Sequence, residues 1–136
     1  MEPDKIHLKV ITHEKIVFDE YVDAVYTEGE IGEFGVLPKH IPFMSALKIG
    51  VTRAVQGNKT TPIAIMGGVF QVKNNEAVIL TDVAELGSDI DAARAKEAKE
   101  RAEARLGSTD TEIDRKRAEI ALAKALARLK ACKHSE

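Results

Sequence analysis

The first 86 residues alternate between apolar and polar positions over short segments, which is the pattern of β-strands. The segment IHLKVIT, for example, places Ile6, Leu8 and Val10 on one face of an extended chain. Similar segments rich in valine, isoleucine, threonine and aromatic residues follow, and turn-forming groups separate them at positions 56–60 and 73–76. Many short strands with regular turns predict an antiparallel sandwich or barrel.

The pattern changes to a helical one near residue 87. Residues 92–106 are rich in alanine, lysine, arginine and glutamate and contain no helix breaker. Residues 88–91 offer capping side chains before this helix, and Gly107 ends it. Because the composition shift marks a boundary, we expect a sandwich domain over 1–86 and a helical hairpin over 87–136.

A second helix is predicted from a capping box between Thr109 and Glu112 to about Cys132. The short connection makes the two helices antiparallel. The apolar stripe of the second helix consists of Ala118, Leu122, Ala125, Leu126, Leu129 and Cys132.

The hairpin is held together mainly by small side chains. The first helix is apolar through Ala95, Ala98 and Ala102, with Leu106 at its end. Alanine buries little area, whereas a buried leucine contributes roughly 1.5–3 kcal/mol. Weak packing suits an element that detaches from its support, and a static helical cap with an alanine-rich seam has the same pattern.

Composition and charge narrow the class of protein. Hydrophobic residues make up 44% and charged residues 31%, and the net charge is −2. This balance is unlike that of a general nucleic-acid binder, so we expect no nucleic-acid partner. No apolar run has the length of a transmembrane helix, and we expect no signal peptide. A single cysteine, Cys132, favours a reducing compartment.

The glycine stretch at Gly29, Gly32 and Gly35 does not have the spacing of a phosphate-binding loop. No Lys-Ser or Lys-Thr follows it, and the dinucleotide fingerprint is also missing. Gly67 and Gly68 are interpreted as a bulge or a close backbone approach.

No arrangement typical of a catalytic or metal site is visible in the sequence. The four histidines show no ligand spacing, and Cys132 with His134 is a weak candidate pair. No nucleophile elbow is present. We therefore expect no catalytic residues, no metal and no enzymatic activity of the isolated chain.

Four segments in a fixed order carry a resemblance to a known family. They are GEFGVLPKHIPF at 32–43, GGVFQV at 67–72, DIDAARA at 89–95 and RAEIALAKALARL at 117–129. Together they closely resemble the epsilon subunit of bacterial F-type ATP synthase, over essentially the whole chain. The resemblance implies an α+β architecture in which an antiparallel β-sandwich of about ten strands precedes a two-helix hairpin.

The resemblance also implies a function and partners. Such a subunit belongs to the rotor, is bound to gamma and seated on the c-ring, and couples rotation driven by proton or sodium flow to ATP synthesis. Its hairpin can extend into the catalytic alpha/beta head and inhibit ATP hydrolysis. The expected location is the cytoplasmic face of the bacterial plasma membrane, peripheral and in contact with the membrane only through the c-ring.

Glu33 and His40 match family positions that face the polar loops of the c-ring. Gly32 and Gly35 would allow positive φ or close approach. The alternative for this stretch is an ordinary surface loop with a hydrogen-bonded histidine.

A regulatory ATP site is implied by residues 90–95, which resemble the Ile/Leu-Asp-x-x-Arg-Ala motif of family members that bind ATP without hydrolysing it. The candidate ligands are Glu85, Ile90, Asp91, Arg94, Ala95, Arg101, Lys124 and Arg128. Arg94 and Arg101 share one helix face, and guanidinium groups suit phosphate. Glu85 and Asp91 would hold the adenine amino group.

Three alternatives stay open. Asp91 could simply cap the first helix while the arginines form surface ion pairs, and Lys124 departs from the arginine of strong ATP binders. The chain could also be a freestanding ATP-sensing protein. A small β-sandwich enzyme is a further alternative, and no residue pattern supports it.

Overall fold

The computed structural model describes residues 5–108 and 111–134, with the side chain of His134 outside the described part. The strands are β1 (Ile6–Ile11), β2 (Ile16–Val22), β3 (Ala24–Glu28), β4 (Glu33–Val36), β5 (Phe43–Gln56), β6 (Lys59–Lys73), β7 (Glu76–Leu80) and β8 (Ala84–Leu86). A 3-10 turn (Gly87–Asp89) leads to α1 (Ala92–Ser108) and α2 (Glu112–His134). Neither helix in these ranges is both long and apolar enough to cross a membrane.

The eight strands form one folded-over sheet with the order β2-β1-β7-β6-β5-β3-β4, and β8 pairs with β6. The residues at 43–47 of β5 and 69–73 of β6 join β7, β1 and β2 in layer one. The residues at 49–56 of β5 and 59–66 of β6 join β3, β4 and β8 in layer two. The predicted sandwich is confirmed. About ten strands were expected, and the described residues form eight, two of which (β5 and β6) run through both layers.

The corner between the layers is made by Gly67 and Gly68, whose φ angles are 82° and 138°. A Cβ on Gly68 would lie 2.2 Å from the carbonyl oxygen of Leu80, so no other residue fits there without displacing β7. The predicted bulge or close approach is confirmed at these positions.

In the glycine stretch at 29–35, a positive φ or a close approach was expected at Gly32 and Gly35, and it is confirmed at one of them. A Cβ on Gly35 would lie 2.7 Å from the ring of Tyr26, which is the close approach expected. Gly32 has open space around it and no positive φ, so the same expectation is wrong there. Lys39, in the segment between β4 and β5, has a left-handed backbone conformation with a φ of 68°.

The main core lies between the two layers and contains alternate residues of every strand. It includes Ile6, Leu8, Val10, Phe18, Val22, Val25, Val36, Leu47, Ile63, Ile65, Phe70, Val72 and Ile79. The face predicted for β1 is therefore the buried one. Thr27 and Thr52 lie within this interior and hydrogen-bond to each other over 2.7 Å, which satisfies both hydroxyl groups.

The hairpin packs on the outer face of layer two. Val51 of β5 and Ala64 of β6 point away from the main core and form a second cluster with Ala131 of α2. Ile90, Ala95, Met66, Leu129 and Cys132 complete this cluster. Three of the eight side chains are alanines, which bring α2 and α1 close to the sheet, and the large apolar members are Ile90, Met66 and Leu129.

Side-chain caps fix where each helix begins. The carboxylate of Asp91 accepts the N–H of Arg94 at 3.1 Å, and the hydroxyl of Thr111 accepts the N–H of Asp114 at 3.1 Å. Thr111 thus caps the second helix, and the predicted cap residue, Thr109, lies outside the described residues.

The stripe predicted for α2 is only partly buried. Ala118 and Ala125 are buried, but Leu126 is 45% exposed, so its predicted burial is wrong. Ala127 and Ala131 are buried in its place. The reason is that α2 contacts α1 on one side and β5 and β6 on another, so its buried positions do not follow a single stripe.

Candidate functional site

A cavity of about 520 Å³ opens where β8, the 3-10 turn and the two helices meet. It is lined by Val83, Glu85, Asp89, Ile90, Asp91, Arg94, Ala95, Ala98, Arg101 and Arg128. Seven of the eight residues predicted for the ATP site are among them, and Lys124 is not. Lys124 lies one turn before Arg128 on α2 and is half-buried outside the cavity wall.

The face that α1 presents to the cavity follows from helical spacing. Arg94, Ala98 and Arg101 are separated by one and two turns and so lie on the same side. Ala95 beside them is buried, which holds this side of α1 close to the sheet. The small side chains of Ala95 and Ala98 leave the space into which the arginines extend.

Arg128 is fixed by an ion pair with the sandwich. Its Nε donates to Oε1 of Glu85 on β8 over 2.5 Å, and the side chains are 30% and 35% exposed. This contact spans 43 positions of sequence and brings α2 to the cavity. It also means that the carboxylate of Glu85 is engaged by Arg128.

Carboxylates and guanidinium groups line the same cavity, and one of each forms an ion pair. Three carboxylates come from Glu85 on β8 and from Asp89 and Asp91 at the start of the hairpin. Three guanidinium groups come from Arg94, Arg101 and Arg128. The arginines suit a polyphosphate through bidentate hydrogen bonds, and the carboxylates suit an amino group.

Sequence reasoning missed three residues of the cavity wall. The sequence does not indicate that Val83 and Ala98 line a cavity, because apolar residues in a cavity wall and in a packed core are of the same types. Asp89 was considered only as a helix cap, and its exposed carboxylate lines the cavity instead. Its position two residues before Asp91 was the available clue.

Glu33 and His40 lie in different local environments. The carboxylate of Glu33 accepts a hydrogen bond from Nη2 of Arg53 at 2.8 Å, and the guanidinium of Arg53 lies over the ring of Tyr26. The ring of His40 donates through Nδ1 to the Ile41 carbonyl oxygen over 2.7 Å. No hydrogen bond joins Glu33 to His40 within the residues that the structure describes.

The segment 30–42, which consists of β4 and the loops on either side of it, is apolar as well as polar. Ile31 before β4, and Leu37 and Ile41 after it, are 105%, 56% and 74% exposed. Exposed large apolar side chains are typical of an interaction site. The segment thus combines a carboxylate, a histidine and three exposed aliphatic side chains.

A second apolar surface crosses the outer face of layer one. Direct cross-strand pairs connect Ala46 to Val69, Val69 to Leu80, Leu80 to Ile11, and Ile11 to Ile16. We call these five residues the apolar row. Val69, Leu80 and Ile16 are 41%, 53% and 53% exposed, and no other element of the described chain covers them.

A carboxylate on β3 holds the end of α2. Glu28 accepts the N–H of Val51 at 2.7 Å and pairs with Nζ of Lys130 at 3.1 Å and of Lys48 at 3.7 Å. A Cβ on Gly50 would lie 2.7 Å from this carboxylate, so glycine makes room for it. Burial acts to raise the pKa of Glu28, but the Val51 N–H and the two ammonium groups outweigh it, and the pKa lies below its usual value.

Two family descriptions match consecutive parts of the chain. Residues 5–87 match the ATP synthase Delta/Epsilon chain, beta-sandwich domain, and residues 88–133 match its long alpha-helix domain. An ATP synthase epsilon chain of Desulforamulus reducens is 51% identical over 124 residues, covering 91% of this chain and 94% of the relative. One of Syntrophobacter fumaroxidans is 48% identical over 127 residues, covering 93% and 95%.

Two solved structures share the fold of this chain. A chain in the Euglena gracilis mitochondrial ATP synthase, described as OSCP/F1/c-ring, superposes with a TM-score of 0.84 at 29% identity, covering 98% of this chain and 84% of that one. A chain of the Tetrahymena thermophila central stalk and c-ring shares the fold, with a TM-score of 0.63, 14% identity and complete coverage of both chains.

Proposed function

The chain belongs to the epsilon-chain family of F-type ATP synthase, whose members are non-catalytic stalk subunits, and from that premise we propose how it works. The sandwich joins gamma to the c-ring and couples ion-driven rotation to ATP synthesis. The hairpin regulates ATP hydrolysis and binds ATP without hydrolysing it. The subunit acts at the cytoplasmic face of the membrane, which it meets only through the c-ring.

The apolar row is the observation that carries the rotor function. It extends over five adjacent strands without a covering element in the described chain, and an apolar surface of this kind is typical of a permanent protein partner. Gamma is the partner proposed for it. The surface lies on the opposite side of the sandwich from the hairpin, so both contacts can exist together.

The segment 30–42, which contains Glu33 and His40, is the proposed contact with the c-ring. Its exposed aliphatic side chains supply apolar area, and the carboxylate and imidazole supply hydrogen bonds to polar loops. Arg53 holds Glu33 in one orientation before any partner arrives, which lowers the entropy cost of binding.

The cavity is the proposed ATP site. Its volume of about 520 Å³ falls within the usual range for a small-molecule site, about 300–1,000 Å³. Three arginines offer donors for the phosphates. Because the two helices both contribute, ATP would bridge them and favour the docked hairpin.

The weak alanine contacts of the hairpin support its regulatory role. A hairpin held by one small apolar cluster with three alanines and by a few ion pairs would undock at a small free-energy cost. The undocked helices are then proposed to reach the alpha/beta head and inhibit hydrolysis, and ATP in the cavity would oppose this.

The rotor proposal is tested by co-expression with gamma. A stable one-to-one complex is the expected result, and the absence of association at micromolar concentration would contradict the proposal. Calorimetry tests the ATP site, with Arg94→Ala expected to weaken binding and Arg105→Ala, exposed on α1 outside the cavity wall, as the matched control.

The second candidate function is a freestanding ATP sensor, which the cavity alone favours. ATP binding together with no affinity for gamma would select it. ATP binding by the gamma complex, with faster hydrolysis by the assembled synthase when residues after Gly87 are removed, would select the regulated rotor subunit.

A further inference from the structure

The contact between Glu85 and Arg128 uses only one edge of the guanidinium group. Oε1 of Glu85 meets Nε, and Arg128 forms no other hydrogen bond within the described part of the chain. A guanidinium group is planar and carries five N–H donors, four of them on Nη1 and Nη2. The fork formed by Nη1 and Nη2 is therefore still available to a ligand.

From this geometry we infer that Glu85 is a positioning residue that orients Arg128 toward a phosphate group, and that it does not contact the adenine. The inference rests on the proposed ATP site and changes the role of one of its residues. Arg128 would contact the phosphate, and Glu85 would act through Arg128.

Partial burial makes this orientation effective. Both side chains are about one-third exposed, so the pair is less screened by water than a pair on an open surface. An arginine side chain has considerable rotamer freedom, which a ligand must otherwise remove on binding. Glu85 removes much of it beforehand, because it anchors Nε on β8.

The position of Glu85 also argues against an adenine contact. The adenine amino group and the terminal phosphate are at opposite ends of ATP, whereas Glu85 is in direct contact with an arginine that suits phosphate. Asp89 and Asp91 line the same cavity at the start of the hairpin. Asp91 uses one oxygen as a helix cap, which leaves its second oxygen and the carboxylate of Asp89 for the amino group.

Charge balance gives Glu85 a further effect on the same site. Arg94, Arg101 and Arg128 face one cavity, and their positive charges repel one another. The carboxylate of Glu85 offsets part of this repulsion. It therefore keeps Arg128 in place until a polyphosphate supplies the negative charge.

The test compares three probes on the full-length chain by calorimetry: ATP, ITP and inorganic triphosphate. ITP has an oxygen where ATP has the adenine amino group, and triphosphate has no base. For Glu85→Gln we expect all three affinities to fall by the same factor, roughly tenfold, as for the loss of one charge-assisted hydrogen bond. The ratio of ATP to ITP affinity should stay as in the wild type.

A double-mutant cycle gives the second readout. Once Arg128→Gln has removed the phosphate contact, Glu85→Gln should weaken ATP binding by less than twofold further, since both changes remove one interaction. Glu85→Asp keeps the charge and should retain part of the affinity. Glu103→Gln, an exposed position on α1 outside the cavity wall, is the matched control and should leave all affinities unchanged.

Three outcomes would overturn the inference. If Glu85→Gln abolishes the preference for ATP over ITP and leaves triphosphate binding unchanged, Glu85 contacts the base. If it lowers only the melting temperature, the ion pair is purely structural. If the wild-type chain binds no ATP at millimolar concentration, the proposed site itself is wrong, and the role of Glu85 is withdrawn with it.

Discussion

Lys130 of α2 donates a hydrogen bond from Nζ to Oε2 of Glu28, at the end of β3, over a distance of 3.1 Å. The two residues are 102 positions apart, so the contact links the end of the hairpin directly to the sandwich. Together with the pair between Arg128 and Glu85, it attaches one turn of α2 to two carboxylates of layer two.

Glu28→Gln should loosen the end of α2. The neutral amide cannot form an ion pair with the ammonium groups of Lys130 and Lys48, and the Glu28 side chain is only 15% exposed, so we expect the docked hairpin to lose about 1 kcal/mol. Native-state hydrogen exchange should then show amides near residue 130 exchanging about fivefold faster. Unchanged exchange there, equal to that of the Glu103→Gln control, would show that the ion pair contributes nothing to docking.

The same carboxylate predicts a pH dependence. The pKa of Glu28 is lowered in the folded chain: burial opposes the shift, and the Val51 N–H and Lys130 outweigh it. The stabilisation is therefore fully present above the ordinary glutamate pKa of about 4.3 and is lost as the pH falls through the lower folded value. The difference in melting temperature between the wild type and Glu28→Gln should be constant near neutral pH and should shrink below about pH 4. A difference that stays the same into strong acid would mean that the charge of Glu28 is not responsible.

Gly87→Ala should displace α2 from the sandwich. A Cβ at this position would lie 2.4 Å from the carbonyl oxygen of Ala131 and 2.9 Å from Cγ of Pro62, so the helix must move. We expect a loss of about 1–3 kcal/mol in stability, measured by chemical denaturation. The matched control is Gly107→Ala in α1, where a Cβ meets nothing within 4 Å, and which should be neutral or stabilising by up to about 1 kcal/mol. Equal behaviour of the two variants would rule out close packing at Gly87.

Leu80→Asp should weaken binding to gamma. The side chain is at the centre of the apolar row and 53% exposed, so a carboxylate there leaves the isolated fold intact but is buried without a partner in the complex. We expect the affinity, measured by surface plasmon resonance with purified gamma, to fall at least tenfold. Ile113→Asp, 69% exposed near the start of α2, is the control. A loss of affinity in both variants, or in neither, would mean that the apolar row is not the contact.

The fold follows from the sequence where local pattern decides it. Alternation in β1 predicts which residues face the core, and the alanine-rich segment predicts two helices. The number of strands could not be predicted in the same way, because β5 and β6 continue through a corner that depends on Gly68 approaching the backbone of Leu80. The exposed position of Leu126 depends on α2 packing against two neighbours at once, which a single helical period does not describe.

The candidate site could likewise be predicted only where local spacing or the family resemblance decides the position of a residue. Arg94 and Arg101 share a face because of helical spacing, and the resemblance to a family identified the remaining candidates. The position of Lys124 outside the cavity depends on how α2 is rotated against α1. The pairs of Glu28 and Glu85 with α2 join distant segments, and only the folded chain shows them.

The passage of β5 and β6 through both layers has a mechanical consequence. A load applied to the apolar row reaches layer two along two covalent backbones that are hydrogen-bonded to each other, and not only through side-chain contacts in the core. At the corner these strands bend at Gly67 and Gly68, so the two layers are joined there by continuous backbone. The β5–β6 ribbon therefore connects the outer faces of the two layers through covalent bonds as well as through the core.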